Sequence, residues 1–325
     1  MRPLFPLSTG FVLIVAFNHP IVAQDIQIRQ RAVSLLERAD SVVAVKEFSS
    51  YEQTIRFRSL SAAGAVEGLF TSVTRGPRSY RDEYEFGNFH LLVVVNGSMI
   101  ADVGDRARAP LEVREITRLN RPYDVRFDDT DVIHSIEEGL VDGHAANCVE
   151  FDTVAGQKTE ANEICIDKQL GTVTRSRIGA TRLTFSDFFK FHTAQVPGHI
   201  TYEQGDLRME LNQTKTPTEG PFDPDFLTPP MNAKIQRVCQ SYRRPYGRSM
   251  PQPKSGSGNQ RLDVMLHGTI REDGKIREAT IDRSELASLN AEALTIFNSW
   301  TFTPALCDSK PIEVPVDVTL HFQDR

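Results

Sequence analysis

The side chains able to do chemistry are scattered along the chain. Eight histidines are present, but no H-E-x-x-H spacing places two imidazoles on one helix face for zinc. His192 and His199 flank a turn. His267 and His321 could be cross-strand neighbours on the outer face of a C-terminal sheet. Neither pair has an evident third ligand, so no metal site is expected. No G-x-S-x-G is present, and Gly97-Ser98 lacks the strand-turn-helix context that exposes a nucleophile. A Gly-rich phosphate loop is missing too. Asp128-Asp129-Thr130-Asp131 would need a fixed turn and further oxygen ligands to hold calcium, and reads as a solvated loop. Without a catalytic, metal or cofactor constellation, the chain is expected to act by binding and not as an enzyme. A hydrolase is the rival, but no residue can be nominated for it.

The four cysteines are Cys148, Cys165, Cys239 and Cys307. They allow three pairings. Cys148–Cys165 and Cys239–Cys307 are expected, because each pair then stays inside one domain. A loop the size of the first would add on the order of 3 kcal/mol in the chain-entropy account. No C-x-x-C supports the rival reading of a four-thiolate metal site.

Disulfides suit an oxidising compartment, and the N-terminus agrees. Arg2 precedes the apolar run Phe11-Val12-Leu13-Ile14-Val15-Ala16-Phe17. His19-Pro20 breaks that run, and Ile21-Val22-Ala23 offers a cleavage point before Gln24. The run is shorter than the roughly 20 apolar residues of a span, so a cleaved signal over 1–23 and a periplasmic chain are expected. The alternative keeps residues 4–17 as an inner-membrane anchor. No Cys follows the run to take a lipid. A net charge of −6 and a pI near 5.8 lack the basic face that nucleic acid requires, so none is expected as partner.

The elements that would position these groups follow from periodicity. Ile28, Leu35, Leu36, Ala39, Val42 and Val43 recur at helical spacing over 26–46. Strand-like runs follow: Tyr51, Ile55 and Phe57; then Leu69, Thr71 and Val73; then Tyr80, Tyr84 and Phe86. Leu91 to Val95 is continuously apolar and ends at Asn96-Gly97, a hairpin signal. Residues 108–120 read as a short helix or loop over a sheet edge. The meander resumes near 134 and runs to Leu211, with turn signals every 8 to 12 residues. Pro217, Pro221, Pro224, Pro229 and Pro230 close it. Residues 241–260 hold Pro245, Pro251 and Pro253 with few apolar residues, and read as linker. Beyond it come two strands joined at Asp273-Gly274, a helix burying the sole Trp and ended by Pro304, and an alternating strand to Phe322.

This last stretch resembles the TonB C-terminal domain family. Gly268-Thr269-Ile270-Arg271-Glu272-Asp273-Gly274-Lys275-Ile276 carries the resemblance, with Leu289-Asn290-Ala291-Glu292-Ala293-Leu294 and Ser299-Trp300-Thr301-Phe302-Thr303-Pro304-Ala305. It covers residues 259–325, or from 231 if Cys239 docks through Cys307. The motif positions are Gly268, Asp273, Gly274, Leu289, Ala293, Trp300, Phe302 and Pro304. The resemblance implies a ββαβ module that meets an envelope protein by adding a strand to a sheet edge. The convincing anchor and long Pro-rich spacer of an energy transducer are absent from the sequence, which weakens that role.

Residues 24–230 more loosely resemble the LolA-like lipoprotein carriers of the periplasm. The leading helix, the long meander, the Ile166-Asp167-Lys168-Gln169-Leu170-Gly171 turn, Val196-Pro197-Gly198-His199-Ile200 and Phe226-Leu227-Thr228-Pro229-Pro230 carry this likeness. It implies a curved sheet that cups a lipid or acyl ligand, lined by Phe57, Leu69, Tyr84, Val94, Phe151, Phe185 and Phe189. The same residues could instead form a closed core.

The expected class is therefore α+β: a half-barrel antiparallel sheet with a packing helix, followed by a small ββαβ domain. The expected segments are signal 1–23, sheet domain 24–230, linker 231–258 and C-terminal domain 259–325. The expected function is an exported binding or adaptor protein, with a TonB-type transducer as alternative. An exposed edge strand would also permit a homodimer.

Overall fold

A computed structural model describes residues 20–43, 50–61, 64–76, 78–119, 127, 131–152, 162–218, 223–253 and 261–323. The signal run and Asp128 to Thr130 lie outside the described residues.

The chain opens with α1 (Pro20–Val43), then β1 (Tyr51–Ser61), β2 (Gly64–Thr74), β3 (Ser79–Phe86), β4 (Phe89–Asn96) and β5 (Met99–Val103). Next come α2 (Leu111–Leu119), β6 (Val132–Val141), β7 (His144–Asp152), β8 (Asn162–Asp167), β9 (Val173–Ile178) and β10 (Thr181–Ser186). The hairpin β11 (Phe189–Phe191) and β12 (Ala194–Val196) leads to β13 (His199–Gln204) and β14 (Leu207–Pro217). Short strands follow: β15 (Lys234–Arg237), β16 (Tyr242–Arg243) and β17 (Tyr246–Ser249). The C-terminal module holds β18 (Arg261–Ile270), β19 (Ile276–Ser284), α3 (Asn290–Asn298), β20 (Thr301–Thr303), β21 (Ala305–Cys307), β22 (Lys310–Ile312) and β23 (Val314–Gln323).

One sheet of 13 strands dominates, in the order β15-β5-β4-β3-β2-β1-β14-β13-β10-β9-β8-β7-β6. It is antiparallel throughout and does not close into a barrel. The helix α1 presents Ala32, Leu36, Ala39 and Val43 as one buried stripe, the face its sequence prescribes. The Asn96-Gly97 hairpin joins β4 to β5. In β4 both faces are covered. Leu91, Val93 and Val95 enter the main core, while Leu92 and Val94 pack with Ala101, Leu227 and Ala233 on the other side. That double burial is why the run is continuously apolar.

The C-terminal module has a three-stranded sheet, β19-β18-β23, with α3 against one face. Its core is Val264, Leu266, Ile270, Ala293, Phe297, Trp300, Phe302, Leu320 and Phe322. Both expected disulfides form, Cys148–Cys165 across β7–β8 and Cys239–Cys307 into the C-terminal module. No described helix is long and apolar enough to cross a membrane.

Three expectations need correction. The described part of the expected linker, 231–253, is not free chain. β15 pairs with β5 and extends the large sheet, while β16 and β17 pair with β21 and β20. Sheet edges satisfy backbone groups that the sparse side chains could not recruit. Pro304 does not end α3, which stops at Asn298; it lies between β20 and β21. The 108–120 segment contains a true helix, α2, and it covers the concave face of the sheet, not an edge, because its apolar residues bury there.

Candidate functional site: the cup, its helix and the C-terminal module

Cross-strand partners share a face, and the registers trace a continuous apolar surface. Phe185, Ile200, Leu211 and Phe57 stand opposite one another on four neighbouring strands. The next row is Leu183, Tyr202, Met209 and Ser59. Phe57 stacks on Phe86 at 5.5 Å, and Phe70 lies 4.7 Å from Tyr84. The Phe57 ring also lies over Gly68, where a Cβ would fall 2.0 Å from Cζ.

Four of the seven expected lining residues meet in this cluster: Phe57, Tyr84, Phe151 and Phe185, none more than 3% exposed. Leu69 pairs with Arg56 and Glu85 on the opposite face, and Phe70 takes its place. A shift of one residue exchanges faces in a strand. Val94 likewise points away from the cup. Phe189 belongs to a satellite cluster with Phe191, Ala194, Val196 and Tyr51. The sequence reading missed Phe70, Ile200, Met209 and Leu211. The Phe57–Gly68 pairing would have fixed the parity of β2, but only the hairpin register reveals it.

The cup is filled by α2. Leu111, Val113, Ile116 and Leu119 join the main core. Thr117 Oγ1 lies 3.2 Å from the Tyr84 hydroxyl, and Ser59 donates to Glu112 at 3.0 Å. At the chain's entry to this helix, Gly104 has φ +106° and sits so close to the β4 backbone that a Cβ would meet the His90 carbonyl at 2.4 Å.

The other side of α2 faces the C-terminal module. Arg114 and Arg118, one turn apart, lie on the same side. Arg114 bonds Asp282 and approaches Asp317 at 3.2 Å; Arg118 bonds Asp317 and, at 2.5 Å, Glu115. His267 Nδ1 is 2.7 Å from Asp317 Oδ1. The pair Arg114–Asp282 is nearly buried, with 11% and 12% side-chain exposure. Burial raises the carboxyls of Glu115 and Asp282 above the usual range, only partly offset by the arginines. Asp317 is half-buried, which raises it, yet its hydrogen bond with His267 and the two arginines outweigh that and hold it below the usual range. His267, Asp282 and Asp317 offer ligand atoms within 4.8 Å of one another. The Arg114 guanidinium hydrogen-bonds Asp282 and lies within ion-pair distance of Asp317, so these groups form an ion-pair seam. His267 and His321 share a face of the module's sheet but are not neighbours: Asp317 opposes one and Asp263 the other.

Further contacts join the modules. Arg283 bonds Asp206 in the β13–β14 turn, and Met265 packs on the main core. A cleft of about 280 Å³ lies beside them, lined by Ile178, Thr181, Gln204, Arg283, Thr319 and His321 among others.

A polar row crosses the cup near its β11–β12 end. Lys215, Gln53, Ser72 and Asp82 occupy successive opposed positions on four strands. Gln53 donates to Gln213 at 2.7 Å, and Gln213 to the Pro197 carbonyl at 2.8 Å. Lys215 Nζ sits 4.4 Å from the Tyr51 ring centroid, and burial pulls its amine down to about 8.

In the C-terminal module, Gly268 lets α3 approach: a Cβ there would be 2.9 Å from Phe297. Asp273 accepts from the Lys275 N–H at 3.1 Å and shapes the hairpin turn. Gly274 has φ +78°, and its carbonyl accepts from the Phe302 N–H at 2.8 Å. Leu289 packs on the module core, Ala293 is fully buried, and Trp300 donates to the Pro251 carbonyl at 2.9 Å. Phe302 is buried and Pro304 half-buried. β23 is an edge strand whose outer side meets no strand among the described residues.

Residues 259–323 match the family described as Gram-negative bacterial TonB protein C-terminal. No curated protein matches the chain. Among solved structures, the chain is similar to a LolA superfamily protein from Nitrosomonas europaea, at 11% identity and TM-score 0.37, covering 58% of this chain and 94% of that one. It is also similar to a DUF1329 family protein from Desulfovibrio piger, at 12% identity and TM-score 0.43, covering 61% and 96%. The MucA/MucB complex of Pseudomonas aeruginosa matches at 13% identity and TM-score 0.29, covering 75% and 81%. At these identities and scores the likenesses imply neither ligand nor partner for this chain.

Proposed function

We propose that this chain is an exported, non-enzymatic binding or adaptor protein of the bacterial envelope. In this reading its C-terminal module docks an envelope protein, and its large sheet receives an apolar ligand in the cup. The carrying observation is the TonB-type module over 259–323, built as a sheet with one face on α3 and β23 left as an edge. Strand addition suits such an edge. Pro315 has no N–H to offer, so an added strand would pair along 316–323. The apolar half rests on the cluster of Phe57, Phe70, Tyr84 and Phe185 beneath α2. Because the chain's own helix fills that space, a ligand must displace it.

The test is native mass spectrometry with lipid extraction on full-length protein expressed in a Gram-negative periplasm. The reading expects a mature chain starting near Gln24, two disulfides and a co-purifying amphiphile. Protein that is ligand-free and fails to take up N-phenyl-1-naphthylamine would remove the ligand half and leave the adaptor. An intact N-terminus retained in the inner membrane would support a transducer anchored by residues 4–17 instead.

A further inference from the structure

We propose that α2 is a lid which the C-terminal module holds over the cup, so that docking on that module and opening of the cup are energetically coupled. This rests on the cup reading of the large sheet. A nine-residue helix is far too short to persist alone in water, so its position is set by what it touches. It touches two things. Val113, Ile116 and Leu119 bind the cup. Arg114 and Arg118 bind Asp282 and Asp317 of the C-terminal sheet.

Among the described residues, the carboxylates come from a module otherwise tethered to the large sheet by the Cys239–Cys307 disulfide just past β15 and by the β16–β21 and β17–β20 pairings, at a distance from α2, while nearer the helix lie Arg283–Asp206, Arg108–Glu278 at the surface, and Met265. Any shift of the module that separates Asp282 from Arg114 leaves two nearly buried charges without partners, a costly arrangement. The helix is then better placed with its arginines in water, which lifts Val113, Ile116 and Leu119 from the core and parts Thr117 from Tyr84 and Glu112 from Ser59. A partner that moves the module therefore favours an open cup. Reciprocity requires a ligand that displaces α2 to loosen the module's seat by the same factor.

The experiment uses the mature chain with both disulfides intact. Amide hydrogen exchange of residues 111–119 is measured alongside association of N-phenyl-1-naphthylamine, for wild type and for Asp282→Asn/Asp317→Asn. The expected result is a rise of about tenfold or more in α2 exchange and in probe association, with β18 and β23 as protected as before. Trp300 emission reports that the module remains folded. If the double variant does not fold, Arg118→Gln, at a side chain 55% exposed, is the second variant, and a smaller rise of the same kind is expected. Unchanged α2 exchange in a folded variant overturns the latch. Faster α2 exchange with wild-type probe association overturns the coupling. Failure of the probe to bind wild type or variant, with α2 exchange raised, sinks the cup reading while the latch survives.

Discussion

The concave face of the large sheet and the outer face of the C-terminal sheet meet the same helix by opposite means. The first shares one hydrophobic core, with Phe57, Phe70, Tyr84 and Met209, with the apolar side of α2, and its hold is burial of area, which has no direction. The second offers Asp282, Asp317 and His267 to Arg114 and Arg118, and its hold depends on geometry and partners. The apolar contact lies within the core cluster of the large sheet. The charged contact joins two units that each own a separate core. One helix thus carries an apolar interface on one side and a charged one on the other.

Substitutions should separate the two. Phe57→Ala should cost the most, about 3–5 kcal/mol of global stability in urea titration. A loss below about 1 kcal/mol would mean the cup is loosely filled and would break the contrast. Arg114→Ala should cost less, roughly 1–3 kcal/mol, because it strands Asp282 at the seam. Its effect should appear as separate melting of the C-terminal module, followed by Trp300 emission. A single transition shifted as a whole would show that the seam belongs to one common core.

Lys215 tests the polar end of the cup through pH. Its folded value, about 8, lies below the ordinary 10.5, so the unfolded chain binds more protons between those values. Stability should therefore rise as pH climbs from about 8 to 10. Below that window the folded state carries a constant cost from the buried ammonium. Lys215→Met should raise stability at pH 7 by about 1–2 kcal/mol, allowing for the stacking on Tyr51, and should flatten the rise. Equal pH profiles for both proteins would mean the amine reaches water. The smallest effect belongs to Leu140, 74% exposed on the edge strand β6, where Leu140→Ser should stay within about 0.5 kcal/mol. A larger loss would reveal a contact on that edge.

Much of this arrangement was legible in the chain, for identifiable reasons. Asn96-Gly97 and Asp273-Gly274 fix hairpins by local backbone demand, so two turns and the strands beside them read directly. The long strands and the helix of the C-terminal module follow from periodicity, while the three-residue β20, β21 and β22 between α3 and β23 are too short to show it. Phe57, Tyr84, Phe151 and Phe185 are large apolar residues on alternating strands, and burial gathers them. Leu69 failed because β2 alternates on both parities, with Phe70 between Leu69 and Thr71. Val94 failed because a run covered on both faces gives no parity signal. The strands at 234–237, 242–243 and 246–249 are too short to show alternation. The seam was invisible: Arg114 and Arg118 lie far along the chain from Asp282 and Asp317, and only the fold brings them together.

The most direct test of the account is a double-mutant cycle on Arg114 and Asp282, with Arg114→Ala, Asp282→Ala and the double variant compared. The quantity measured is the opening free energy of α2 by native-state hydrogen exchange. A direct buried pair predicts a coupling energy of about 1–3 kcal/mol between the two changes. Additive effects within about 0.3 kcal/mol would mean that the C-terminal module does not hold α2, and the two faces would then act independently.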